Sequence, residues 1–315
     1  MRRHQTAMNS HAFFTKTPPL KLFFLASLPG AAGMLASALY QLLDGIFVGQ
    51  FLGETAFAAL NLAMLFVIIN FALADLIGVG SSVPISISLG KKEEQEANNI
   101  FACGTPNFLS NIAGRITSIV MNMLLVRFGG EAAVSVYGIL MYVDGFIQPL
   151  LYGMCDSLQP AVGYNCGAGR FSRVRALEKC CFTASLAISL VSGVVIFLFP
   201  SRIALLFMAD ADTAFMTMCV GALQLFALTY VTRWLSFAAQ SYMLAVGKAL
   251  PASIISLSLA LIFPVLFVAV FWPLGLTGLW LNFAGSSLMA GLLALFLLWQ
   301  NRDDLNREDI PKFSS

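Results

Sequence analysis

Asp44 stands in the stretch Ala38-Leu-Tyr-Gln-Leu-Leu-Asp-Gly-Ile-Phe-Val-Gly49, where nearly every neighbour is apolar. An acid inside an apolar run of membrane-spanning length is costly and marks a functional position. It is a candidate for taking up and releasing a proton. Tyr40 lies one helical turn earlier and is placed to hydrogen-bond the carboxyl. Pro29-Gly30 lies about four turns earlier. Proline removes a backbone hydrogen bond and makes a bend point. A titratable acid on a bendable helix describes an ion-linked switch. The alternative is an acid near the helix end that reaches water, since Gly49 and Gly53 bring the end of the run close.

Other polar residues interrupt later apolar runs. Asp144 and Gln148 share one helix face just before Pro149. Arg115, Asn122, Asp75 and Arg233 lie inside other runs, and Asp156 lies towards the end of one. Each could contact a substrate, form a structural ion pair, or join helices. The six cysteines, at 103, 155, 166, 180, 181 and 219, include no CxxC pair, and the two histidines sit together in the N-terminal tail. No metal site and no enzymatic centre is expected from these spacings.

The medium around these residues follows from composition. Of 315 residues, 58% are hydrophobic and only 11% charged, with a mean hydropathy of +0.82. Soluble domains carry about one-quarter charged residues. The expectation is an all-α, polytopic membrane helix bundle embedded in lipid. Eight spans are expected, at about 20–51, 55–89, 105–126, 132–159, 175–199, 213–244, 251–271 and 275–299. Lys and Arg concentrate at one set of span ends, including Lys91, Lys92, Arg170, Arg173, Arg175 and Lys248; the other set carries only Arg127 and Arg202. That asymmetry predicts cytoplasmic termini in a cell membrane. The first apolar run is too long for a removable signal core, and the net charge of +2 gives no reason to expect a nucleic-acid partner.

An offset of 77 residues aligns the chain with itself. Phe51, Gly53, Glu54 and Ala56 meet Phe128, Gly130, Glu131 and Ala133, and further on Gly90 meets Gly167. The first two spans therefore repeat as the third and fourth in the same direction, a design found in transporters.

Residues 28–54, from Leu28-Pro-Gly-Ala-Ala-Gly-Met to Phe51-Leu-Gly-Glu, resemble the first helix of the multidrug and toxic compound extrusion (MATE) family. Ala58-Ala-Leu-Asn-Leu-Ala and Gly78-Val-Gly-Ser-Ser resemble the family's next segment. Gln159-Pro-Ala-Val-Gly-Tyr-Asn-Cys-Gly-Ala-Gly-Arg170 and Gln240-Ser-Tyr-Met-Leu-Ala-Val-Gly-Lys248 are similar to parts of the family's second half. The resemblance implies two six-helix lobes and export of cationic or amphipathic drugs against inward proton or sodium flow. It implies that Asp44 with Tyr40 couples the ion and that Pro29 bends the helix. Asn122, Asp144, Gln148 and Gln240, polar residues of the apolar runs, are separate candidates for bordering a substrate cavity. No cofactor beyond the coupling ion is implied.

One departure stands out: the family has twelve spans, and the resemblance passes from its second helix near Cys103 directly to its seventh at Thr105. The expected division is therefore a tail (1–19), a two-helix partial first lobe (20–104), a six-helix second lobe (105–300) and a second tail (301–315). Two rivals to an exporter are a non-transporting remnant of an internally deleted exporter and a flippase for lipid-linked substrates. An intramembrane aspartyl protease would need a GxGD signature, which neither Asp44-Gly45 nor Asp144-Gly145 supplies.

Overall fold

A computed structural model describes residues 13–47, 77–78, 81–91, 100–207 and 212–302, without the side chains of 41, 42, 44–47, 100–107, 109 and 110. The described residues are almost wholly helical. Helix α1 is Pro19–Phe47 and α2 is Ile100–Gly167. They are followed by α3 (Phe171–Leu198), α4 (Pro200–Phe207), α5 (Thr213–Ala227) and α6 (Arg233–Ala245). The last described helices are α7 (Ala249–Leu257), α8 (Phe263–Val270) and α9 (Gly275–Gln300). Among the described residues, six segments are long and apolar enough to cross a membrane. Among the described residues many large apolar side chains face outward, for example Leu288, Leu292, Leu295 and Phe296 along α9. In water this surface would be untenable; in lipid it is the expected outer face.

The 68 residues of α2 form a hairpin. Gly130 has φ 65° and ψ −159°, a conformation that glycine tolerates and other residues rarely adopt. Beyond it the chain returns. Ser118 Oγ and Tyr137 OH are 3.0 Å apart, although 19 residues of straight helix would separate them by about 28 Å. The two arms, 100–129 and 131–167, supply the expected third and fourth spans. The second arm runs eight residues beyond the expected end at Gln159. Ala161, Val162 and Tyr164 there are buried, and Asn165 donates to the Ala161 and Phe14 carbonyls. The expected long basic loop thus shrinks to the turn before Phe171. The expected second span, 55–89, and its Asp75 lie mostly outside the described residues.

Two expected spans are broken within their length. The sixth consists of α5, a tight 3-10 turn (Leu228–Val231) and α6. Its sequence there, Leu-Thr-Tyr-Val-Thr, is rich in β-branched and aromatic residues that lose side-chain freedom in a helix. The seventh consists of α7, a wide π turn (Ser258–Ile262) and α8. Pro264 explains the second break: it has no N–H to offer the carbonyl of Ala260, four residues earlier.

At the end of the bundle that carries Lys91, Arg170 and Arg173, the repeat becomes visible as packing. A Cβ on Gly90 would strike the Tyr164 carbonyl and lie 2.8 Å from the Ala168 nitrogen; one on Gly167 would strike the Ile87 carbonyl. With the offset of 77, Tyr164 corresponds to Ile87 and Gly167 to Gly90. The contacts are reciprocal, as a two-fold relation between the copies requires. The same end is covered by the N-terminal segment. Arg170 donates to the Thr15 carbonyl at 2.7 Å, Arg173 donates to the carbonyls of Phe14 and Thr17, and the Phe14 ring stacks on Tyr164 at 5.0 Å.

Candidate functional site

A cavity of about 530 Å³ lies between α1 and the helices that follow Asn111. Met34, Ser37 and Ala38 of α1 form one wall. Arg115 and Ser118 come from the first arm of α2, and Tyr137, Asp144, Gln148, Tyr152 and Asp156 from the second. Thr229 and Arg233 lie at the break in the sixth span, Leu259, Ala260 and Pro264 at the break in the seventh, and Asn282, Phe283, Ser286 and Ser287 on α9. Both breaks therefore face the same space.

Broken backbone at membrane depth is tolerated only where other groups take up its hydrogen bonds. They do so here. Ser287 donates to the Thr229 carbonyl at 2.9 Å, and Ser189 donates to the Tyr230 carbonyl at 2.6 Å. At the second break Thr117 donates to the Ala260 carbonyl at 2.6 Å, which is the acceptor that Pro264 leaves free. Asn282 donates to the Pro264 carbonyl at 3.0 Å and is itself held by Ser286 at 2.8 Å. The neighbouring helices thus supply hydroxyls and an amide at the heights where two spans lose their own.

The centre of the polar wall is an ion pair. Arg233 reaches Asp144 Oδ2 at 3.0 Å, and the hydroxyl of the buried Tyr230 donates to Asp144 Oδ1 at 2.7 Å. The Asp144 and Arg233 side chains are only 11% and 13% exposed. The Arg233 guanidinium also lies over the Phe237 ring, 5.4 Å from its centroid. Both carboxylate oxygens of Asp144 are engaged, whereas Arg233 Nε has no partner. Nor does the hydroxyl of Thr229, a residue only 1% exposed. Asp156 accepts from Gln159 at 2.7 Å.

The sequence-derived candidates separate here. Asp144 and Gln148 line the cavity. Asn122 does not; it donates to the Ser118 carbonyl on its own helix at 3.0 Å. Gln240 is buried within α6, away from the cavity. Tyr40 is 69% exposed and is not part of the wall. Asp44 belongs to the last turn of α1, but its side chain lies outside the described residues. Pro29 lies within an unbroken α1, and a Cβ on its neighbour Gly30 would strike Ser157 of α2, so this dipeptide marks a helix crossing. Sequence reasoning missed Thr229, Tyr230 and the hydroxyls that serve the breaks. It named Arg233 and Asp144 separately without joining them.

A family model described as MatE matches residues 29–105 and again 106–270. The chain belongs to the MatE family. The second MatE match is more than twice as long as the first and begins at the residue after the first ends. Among curated relatives, the multidrug export protein MepA of Staphylococcus aureus strain MSSA476 is 29% identical over 314 residues, covering 93% of this chain and 66% of the relative. MepA of Staphylococcus saprophyticus is 26% identical over 304 residues, with the same coverage. This MatE chain thus spans about two thirds of the length of the curated relatives it matches. Among solved structures, an outward-facing multidrug resistance MATE transporter of the MOP superfamily superposes with a TM-score of 0.85 at 15% identity, over 94% of this chain and 98% of that one. A mutant of the Vibrio cholerae MATE transporter VcmN gives a TM-score of 0.81 at 15% identity, over 96% and 99%. The MatE chain therefore has the fold of these membrane transporters.

Proposed function

We propose that the protein is a secondary active exporter of cationic or amphipathic, drug-sized molecules, driven by entry of protons or sodium. The supporting observation is the cavity itself. It lies where the sixth and seventh spans are both broken, and its wall alternates aromatic rings with hydroxyls and charges. Broken helices around a buried site are how many transporters build a substrate pocket that can change its opening. The multidrug activity named for the MepA relatives agrees with a pocket of this make-up. Asp44, with Tyr40, is the proposed ion-coupling acid, and the cell membrane the proposed location, with both termini cytoplasmic. The two-helix first lobe and six-helix second lobe remain the proposed division; the unequal lengths of the two MatE matches support it.

The test is dye accumulation in a host stripped of its own pumps. Expression should lower accumulation of a fluorescent amphipathic dye, and Asp44→Asn should return it to the level of cells without the protein. A protonophore or a sodium ionophore, added separately, identifies the coupling ion. A second reading is a non-transporting remnant, favoured by the short first MatE match. It prevails if the wild-type chain is folded and inserted yet leaves accumulation unchanged.

A further inference from the structure

We propose that Glu178 is a second proton-binding site, separate from Asp44, and that its proton sets how α6 packs on α3 and so how Arg233 stands in the cavity wall. Such a site binds its proton whether or not the chain transports.

Glu178 stands two turns into α3, a helix of spanning length, yet it faces inward. The residue is only 7% exposed, and its Oε2 is buried without a hydrogen-bond partner. Among the described residues it makes no ion pair. An acid inside a span is costly and marks function. None of the roles assigned so far uses this one.

The groups around it are few. Cys181 follows one turn later on α3. Cys155 comes from the second arm of α2 and Tyr242 from α6, and both lie close enough to feel the charge of the carboxyl. Arg175, one turn earlier, is exposed and acts on Tyr242. From α1 the cluster receives the apolar Leu22, Phe23 and Ala26, while Lys21 is exposed. The thiols are occupied with other groups: Cys181 Sγ lies 3.7 Å from Cys155 Sγ, which lies 3.4 Å from Ser185 Oγ. Among the described residues no group of three ligands could hold a metal ion. A proton is therefore the ligand that fits. A buried carboxylate without a cation takes one from hydronium, releases water and becomes a neutral acid. Its O–H then donates, where the carboxylate could only accept.

That change of role has a movable partner. Phe182, one turn after Glu178, meets two rings of α6: Tyr242 at 6.4 Å and Trp234 at 6.2 Å. Helix α6 lies between two irregularities, the 3-10 turn Leu228–Val231 and Gly247 with φ 81°. It can shift as one piece. Its first residue is Arg233, which holds Asp144 in the cavity wall. A charged Glu178 requires the Tyr242 hydroxyl as donor; a neutral one accepts it as acceptor. The acid therefore acts on one end of α6 and the cavity reads the other.

The test uses the full chain in nanodiscs of phosphatidylcholine. The infrared carbonyl band of neutral carboxylic acids is followed as the buffer is taken from mildly acidic to mildly alkaline. Subtracting Glu178→Gln from wild type isolates one acid. The difference should show one band at the acidic end and none at the alkaline end, and an Asp44→Asn background should leave it unchanged. The glutamine keeps the shape of the neutral acid; Glu178→Leu is the second variant should the amide not fold. Thiols and phenols lose their protons only in alkaline solution and do not absorb in this band. Over the same range the emission of Trp234, obtained by subtracting Trp234→Phe, should shift with the same midpoint. Glu178→Gln and Glu178→Leu should lose that shift. Tyr242→Phe should keep the band and lose the shift, which a merely structural glutamate would not produce. A band that persists throughout, or never appears, makes Glu178 a fixed structural group and overturns the proposal. So does a titrating band with constant Trp234 emission, or an emission shift that survives loss of the acid. Absence of dye efflux bears on the transport reading alone and leaves these readouts as they are.

Discussion

The basic end of the bundle and the central cavity use the same kinds of residue for opposite ends. At the basic end Arg170 and Arg173 spend their donors on the carbonyls of Phe14, Thr15 and Thr17, and glycines bring backbone against backbone. Nothing the size of a substrate fits between Gly90 and Gly167. In the cavity Arg115 and part of Arg233 have no partner among the described residues, and the backbone is spread by two breaks. The difference teaches that a cationic side chain is structural when main-chain acceptors reach it and is available for function when they do not. Sequence position hints at the difference, because Arg170 and Arg173 stand in the basic segment at a span end whereas Arg115 and Arg233 interrupt apolar runs.

The largest expected effect breaks the comparison at the cavity. Asp144→Asn leaves Arg233 buried beside a neutral partner. Removing one member of a buried ion pair costs about 3–5 kcal/mol. The melting temperature of the purified protein in detergent should fall by several degrees. The double variant Asp144→Asn with Arg233→Gln should recover most of that loss, because it leaves no lone charge. Equal stability of wild type and Asp144→Asn would mean that water already solvates Arg233, and the contrast between the two regions would fail.

The next effect concerns the basic end. Gly90→Ala puts a methyl group against the Tyr164 carbonyl and the Ala168 nitrogen, which are backbone atoms of a packed helix and cannot swing aside. Overpacking of this kind costs about 1–3 kcal/mol. The matched control is Gly33→Ala on α1, where nothing lies within 4 Å of the added carbon. There the gain in helix propensity, about 1 kcal/mol, should raise the melting temperature. If both substitutions behave alike, the glycine crossing does not close this end.

Much of the fold was legible. Apolar runs of spanning length located the membrane helices, and the offset of 77 foretold that Gly90 and Gly167 occupy equivalent places. Its consequence, a reciprocal contact between the copies, needed three dimensions. The hairpin at Gly130 was legible because a glycine separates two spanning runs. The break in the sixth span was not. It carries neither proline nor glycine, and a short β-branched stretch is tolerated in many intact helices. The Asp144–Arg233 pair joins residues 89 apart in sequence, with one other span between them. Polar character in the membrane flagged each member, but only packing shows that they neutralise one another.

The smallest expected effect sharpens the contrast at the cavity wall. If Pro264 frees the Ala260 carbonyl and Thr117 takes it up, the two residues form one unit, although they lie on different helices. Thr117→Val keeps the shape and removes the donor. A buried carbonyl without a partner costs about 1–3 kcal/mol, and the low end is expected here because the cavity admits water. Pro264→Ala restores a backbone N–H four residues after Ala260, so the π turn has an internal partner for that carbonyl. In the Pro264→Ala background Thr117→Val should therefore cost almost nothing. The melting temperatures of the four proteins form a double-mutant cycle whose coupling should be about 1 kcal/mol. Additive losses would show that Thr117 stabilises the wall by packing alone. Strong coupling would show that the broken span is held open by a hydroxyl from the facing helix, which is the counterpart, at the cavity, of the arginine-to-carbonyl bonds that hold the other end shut.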